Sequence, residues 1–295
     1  PKGKTFDNSL TDDGNGGRVL LLKDGSVEAK ASTAIAFFKQ LNKHVLAGTK
    51  KCTAMPFLSA TTDVQTALWW SGVGSMKIVK IDLRQLVALH IPQWHVGSVH
   101  YGLIAGTSKQ YASASHEIVF SKGLPEAALE NYALTCKCET AYIPSDCATD
   151  FPSQSKFESA FSSIEVVEWL SGSTEPLKVN ITISSKTKEF VLKRGCKPDQ
   201  ADDLLHSRSH ACAEFLAGVM YRQMGVNFPR LALYQVRISG PGVDHGSYFI
   251  LLSEFLQGET PAVKKAGKVE SCKNELVAKE LPNHIAADIA LANYD

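Results

Sequence analysis

No apolar run in this chain is longer than a strand. The greasiest, Tyr248 to Leu256, is interrupted by Ser253 and Glu254, well short of the roughly 20 residues a membrane helix needs. The core must therefore be assembled from short alternating pieces and amphipathic helices, and the order of those pieces decides the fold. At 295 residues the chain has material for about two domains. With 44% hydrophobic and 21% charged residues it reads as globular, not disordered. Formal net charge is +1 and neither half is polybasic, so neither nucleic acid nor a membrane is an expected partner. The seven cysteines are odd in number and scattered, which suits a reducing compartment better than a disulfide framework. The first residue is Pro1 and the last residues break off inside a helical pattern, so a piece of a longer protein is expected.

Residues 1–17 are polar and turn-rich and are expected to be flexible. A short apolar run, Arg18 to Leu22, precedes a helical pattern over Ala31 to Leu41 (Ala34, Ile35, Phe37, Phe38, Leu41). From His44 the texture turns to strand-like pieces: HVLAG, PFLSATT, a short helix near Val64 to Ser71, MKIVKIDL and HEIVF. Thr140 to Ser163, with Pro144 and Pro152, breaks the periodicity. The expected division is a domain over 18–150, a linker over 151–163 and a second domain over 164–295. The second domain reads IEVVEWL, LKVNITIS, KEFVLKRG, a long helix from Leu204 to Met224, then RLALYQVRIS and SYFILLSEFL, that is, three strands, a helix and two strands.

Two constellations carry chemistry. In the first domain, Ser59-Ala60-Thr61 ends a strand before a helix, and Glu117 stands immediately before the apolar strand core Ile118-Val119-Phe120. One reading makes Glu117 an exposed strand start and Ser59 and Thr61 helix caps. The other takes these pieces together with the segment His44 to Thr49, read as an opening strand ending in Gly48-Thr49, and with the Gly123-Leu124-Pro125 turn. In that order they resemble the toxin-like superfamily of mono-ADP-ribosyltransferases over residues of about 15–145.

The resemblance implies transfer of ADP-ribose from NAD as co-substrate. Glu117 would stabilise the oxocarbenium-like ribose. Ser59 and Thr61 would position it, His44, Gly48 and Thr49 would contact NAD, and Phe57 or Tyr111 would stack on nicotinamide. Where the family commonly carries Arg or His before the Gly of the opening strand, this chain has Ala47; His44, Arg18 and Lys50 are the alternative phosphate ligands. Where arginine-modifying members carry a second Glu, here stands Ser115, so Ser115 would orient the acceptor and a hydroxyl acceptor is expected over Arg. The same absence resembles bacterial effectors that modify a threonine of ubiquitin. That implies ubiquitin as a protein substrate and delivery into a host cytosol, with simple cytosolic residence as the alternative.

In the second domain, Lys193 closes the strand Phe190-Val191-Leu192 and Glu214 sits in the long helix after it. The strand order and the YFILLSEFLQG stretch resemble the small lobe of atypical kinases of the HipA or phosphatidylinositol-kinase kind. There the Lys would reach ATP phosphates and pair with the Glu. Ala292-Asn293-Tyr294-Asp295 resembles the start of such a kinase's catalytic loop. The competing reading leaves Lys193 and Glu214 as solvated charges. A metal site from Cys136, Cys138, Cys147 and the histidines is not expected, because no second close pair of ligands is in register.

The expected fold is thus α+β: a split β-sheet ADP-ribosyltransferase-like domain, then a kinase-small-lobe-like α+β domain truncated at its C-terminus. Two alternatives stay open, a nucleotide-binding pseudokinase-type regulatory protein with a degenerate first domain, and an NAD glycohydrolase.

Overall fold

The computed structural model describes residues 10–14, 16–22, 24–51, 56–72, 77–98, 102, 106–170, 176–183, 185–194 and 204–256. The alternating apolar runs become strands and the 3.6-period runs become helices. In chain order these are β1 (Leu10–Asp12), β2 (Arg18–Leu20), α1 (Ala34–Lys51), β3 (Leu58–Thr61), α2 (Val64–Trp70), β4 (Ile78–Ile81), α3 (Leu83–Ala88), β5 (Gln93–Trp94), α4 (Gly106–Ala114), β6 (Glu117–Phe120), β7 (Leu124–Pro125) and β8 (Leu129–Tyr132). After them come β9 (Thr135–Tyr142), α5 (Gln154–Phe161), β10 (Glu165–Trp169), β11 (Leu177–Ile183), β12 (Lys186–Lys193), α6 (Leu204–Gln223), β13 (Leu231–Gly240) and β14 (Val243–Glu254). Every strand pair among the described residues is antiparallel, so the chain is α+β rather than a parallel α/β fold. No helix among them is long and apolar enough to cross a membrane.

The first part holds three small sheets, ordered β1-β2-β7, β3-β6-β5 and β4-β8. Alternation along β3 and β6 sorts their side chains between two cores. Phe57 and Val119 pack with Leu41 and Val45 of α1 and Ala112 of α4, while Ile118 and Phe120 pack on the other face with Leu86 and Leu124. The second part is one six-stranded sheet, β10-β11-β12-β14-β13-β9. On one face α5 buries Phe157 on Tyr234, rings stacked 3.9 Å apart, and the Tyr234 hydroxyl donates to the Pro152 carbonyl at 2.8 Å. On the other face α6 packs on Leu231, Leu233 and Leu251. Gly218 permits that approach, since a Cβ there would stand 2.1 Å from Leu231 Cδ1.

Four expectations are revised. The segment from His44 to Thr49 is not an opening strand: it continues α1, because Leu41 and Val45 extend the helical spacing of Phe37 and Phe38. Leu10–Asp12 is not a frayed tail but pairs with Arg18–Leu20. The stretch 151–163 is not a plain linker but carries α5, whose Phe157, Ala160 and Phe161 are buried. Strand β9, expected with the first domain, pairs along its length with β13, and Leu68 of α2 is buried in the core of the six-stranded sheet. The two parts therefore share a core instead of meeting through a tether.

Candidate active site

Strand register brings the first constellation together. Thr61 lies directly opposite Glu117, and Ser59 opposite Val119, so Ser59, Thr61 and Glu117 share the face of the sheet turned to α1. Ser59 Oγ donates to Glu117 Oε1 at 2.6 Å. His44 Nε2 meets the same hydroxyl at 2.7 Å. A serine hydroxyl has one proton, here given to the carboxylate, so His44 must donate from Nε2. The imidazole is 2% exposed and its ring lies 5.3 Å from that of Phe57. The result is a directed chain, His44 to Ser59 to Glu117, ending on a half-buried carboxylate. A hydrolytic Ser-His-acid triad would place the imidazole between hydroxyl and acid; here the hydroxyl is in the middle.

The turn before Glu117 is pinned from three sides. Thr61 Oγ1 donates to the Ser115 carbonyl at 2.7 Å, and Thr62 N donates to the His116 carbonyl at 3.1 Å. His116 itself takes a positive φ of 49°, a conformation that costs energy in a non-glycine residue and is kept by its surroundings. Gly97 N donates to the Glu117 carbonyl at 2.8 Å, and a Cβ on Gly97 would lie 2.4 Å from Glu117 N and 2.6 Å from the Ala112 carbonyl oxygen. Only glycine fits there. This support was not foreseen from the sequence, where Gly97 stands in an undistinguished His-Val-Gly-Ser run.

The other candidates divide. Phe57 is fully buried beneath α1, against Phe37 at 5.5 Å between ring centres, so it is core and not a stacking surface for nicotinamide. Ser115 directs its hydroxyl to the Ala112 carbonyl at 3.3 Å. Arg18 is engaged by Glu126 at 2.9 Å, on the β1-β2-β7 sheet. Gly48 and Thr49 have helical backbone, but the side chains of Leu46 to Lys51 and of Tyr111 lie outside the described residues. A carboxylate placed this way can accept hydrogen bonds from hydroxyl groups, and Ser59 fixes its rotamer.

The second constellation also assembles. Lys193 ends β12 opposite Leu251, on the sheet face covered by α6, and its Nζ is ion-paired with Glu214 of α6. The next residue, Arg194, turns the other way and is 4% exposed. The Ser171–Glu175 turn and everything after Leu256, including Ala292-Asn293-Tyr294-Asp295, lie outside the described residues. Among the described residues no group of three or more His, Cys, Asp or Glu is arranged to hold a metal. Burial first, then Cys138 and Glu158, pushes the Cys136 thiol up to about 12, so it stays a neutral thiol packed against the core.

No protein-family model, curated protein or solved structure matches the chain.

Proposed function

We infer that the chain is a mono-ADP-ribosyltransferase that moves ADP-ribose from NAD to a hydroxyl-bearing residue of a protein. The observation that carries this reading is the Ser59 hydroxyl held between His44 at 2.7 Å and Glu117 at 2.6 Å. The reaction breaks the bond between nicotinamide and ribose C1′. Glu117 accepts a hydrogen bond from a ribose hydroxyl and stabilises the positive charge that grows on the sugar. Ser59 holds that carboxylate in one rotamer, and buried His44 holds Ser59; His44 is thus a brace and not a ligand of the phosphates. The acceptor oxygen bonds to C1′, nicotinamide leaves neutral, and the hydroxyl proton passes to solvent. With Ser115 rather than a carboxylate two residues ahead of Glu117, nothing at that position pairs with a guanidinium, which favours a Ser or Thr acceptor, ubiquitin being the first to try. In this reading the first part is a split-sheet ADP-ribosyltransferase-like domain and the second resembles a kinase small lobe.

The test is intact-mass spectrometry after incubation with NAD and ubiquitin. A mass increase of one ADP-ribose on ubiquitin, absent with Glu117→Ala, supports the transfer. Nicotinamide release without protein modification means a glycohydrolase or an acceptor other than ubiquitin.

The Lys193–Glu214 ion pair favours a second reading, in which the second part binds a nucleotide and regulates. A rise in Tm with ATP, lost in Lys193→Met, supports it.

A further inference from the structure

Helix α2 is seven residues long, about 10 Å, and each end is tied to one of the two candidate sites. At its N-terminus Asp63 caps the first turn, its carboxylate accepting from Thr66 N at 2.7 Å. Asp63 N in turn donates to Thr61 Oγ1 at 3.0 Å, the hydroxyl that pins the turn ahead of Glu117. At its C-terminus Ser71 N and Gly72 N bond back to the Ala67 and Trp69 carbonyls, and the other part of the molecule adds to this cap: Arg194 donates from one guanidinium nitrogen to the Trp69 carbonyl at 2.6 Å. A cation on the last carbonyls suits the helix dipole. The guanidinium also lies 4.0 Å from the centre of the Trp69 ring and 5.0 Å from that of Trp169. Trp70 packs on Trp169 at 5.5 Å, Tyr248 of β14 donates to Gln65, and Leu68 is sealed in the large sheet's core.

Arg194 directly follows Lys193. One residue meets Glu214 on the α6 side of the sheet while the next is boxed between two indoles on the opposite side, so the strand end cannot shift at Lys193 without disturbing the Arg194 box. Packed contacts of this kind switch between discrete arrangements and do not deform smoothly. We propose that α2 is a lever between the two sites, and that a ligand carrying a phosphate chain, by engaging Lys193 where it pairs with Glu214, regulates the Ser59–Glu117 site through Arg194 and α2. This rests on the readings of both sites given above. Its ligand chemistry follows from Lys193, a cation that Glu214 holds at the strand end.

Hydrogen exchange of the full chain with and without ATP, in wild type, Lys193→Met and Arg194→Lys, tests the linkage without assuming any NAD chemistry. The expected result is that ATP slows exchange in α2 and in Ile118 to Phe120 roughly fivefold or more. That protection is lost everywhere in Lys193→Met, and in Arg194→Lys it is confined to the six-stranded sheet. Arg194→Lys keeps the charge, so loss of reach with folding intact isolates the cap. The lever is overturned if wild-type protection stops at the large sheet, if it reaches α2 equally in Arg194→Lys, or if millimolar ATP protects nothing. In parallel, ATP should change kcat or KM for NAD in wild type but not in Arg194→Lys. If wild type releases no nicotinamide at all, the transferase reading fails while the exchange result still decides the lever.

Discussion

Ser59 and Glu117 meet across two strands of four residues each, inside a three-stranded sheet. Lys193 ends an eight-residue strand of a six-stranded sheet and meets Glu214 from a helix of 20 residues. The smaller framework holds the more exacting geometry. It does so with hydrogen bonds to backbone at every step around Glu117, with an αL residue at His116, and with a glycine at position 97 that lets the loop touch the strand entry. The larger framework needs only to present one cation to one anion, which tolerates looser placement. A small site of this kind can stay ordered because α2, rooted in the big sheet's core through Leu68, supplies rigidity that the short strands lack.

That dependence predicts how the two parts fail. Phe157→Ala empties the stack on Tyr234 and should cost about 3–5 kcal/mol. Because the cores are shared, calorimetry should show one transition at lower Tm, with near-UV signal lost from the whole chain at once. Two separate transitions would break the comparison. Gly97→Ala acts on the small framework alone: its Cβ would collide with backbone at Glu117 and Ala112, for about 1–3 kcal/mol. Nicotinamide release should fall while any ATP-induced rise in Tm survives.

A smaller effect concerns pH and belongs to the large sheet. Cys136 and Cys138 are raised to about 12 and about 11, chiefly by burial. Their folded values exceed the ordinary thiol value, so the stability they contribute is complete below pH 9 and is lost as pH rises from 9 toward 12. Glu254 runs the other way: hydrogen bonds from Arg230 lower it, so its contribution is present above about pH 4.5 and fades as pH falls. Urea midpoints should be flat from pH 6 to 8, then decline on both sides. Cys136→Ala should reduce the alkaline decline and leave the acid one.

The large sheet was legible because its strands are long and alternate: β11, β12, β13 and β14 and the helix α6 stand close to where the periodicity puts them, and Lys193 pairs with Glu214, a pairing that the resemblance to a kinase small lobe implies and that spacing alone leaves open. The small framework was legible in its residues more than in its elements. Ser59, Thr61 and Glu117 were readable because hydroxyls and a carboxylate stand at strand ends. His44 was placed on a strand because Val45 and Leu46 look strand-like, whereas the spacing from Phe37 and Phe38 through Leu41 to Val45 continues a helix. The place of β9 in the large sheet was hidden because Thr135 to Tyr142 alternates weakly, with Cys136 and Cys138 as its inward residues, and its partner β13 lies about a hundred residues away in the chain. The roles of Gly97 and Arg194 depend on contacts between distant segments, which no local pattern encodes.

The most direct measurement is the rate of nicotinamide release from NAD by wild type and by Glu117→Gln, with circular dichroism of both. The predicted result is turnover in wild type that falls roughly 10²–10³-fold in the variant at unchanged Tm, as for loss of a group aimed at developing charge. Equal rates in the two proteins would contradict the assignment of the His44–Ser59–Glu117 chain as the catalytic centre.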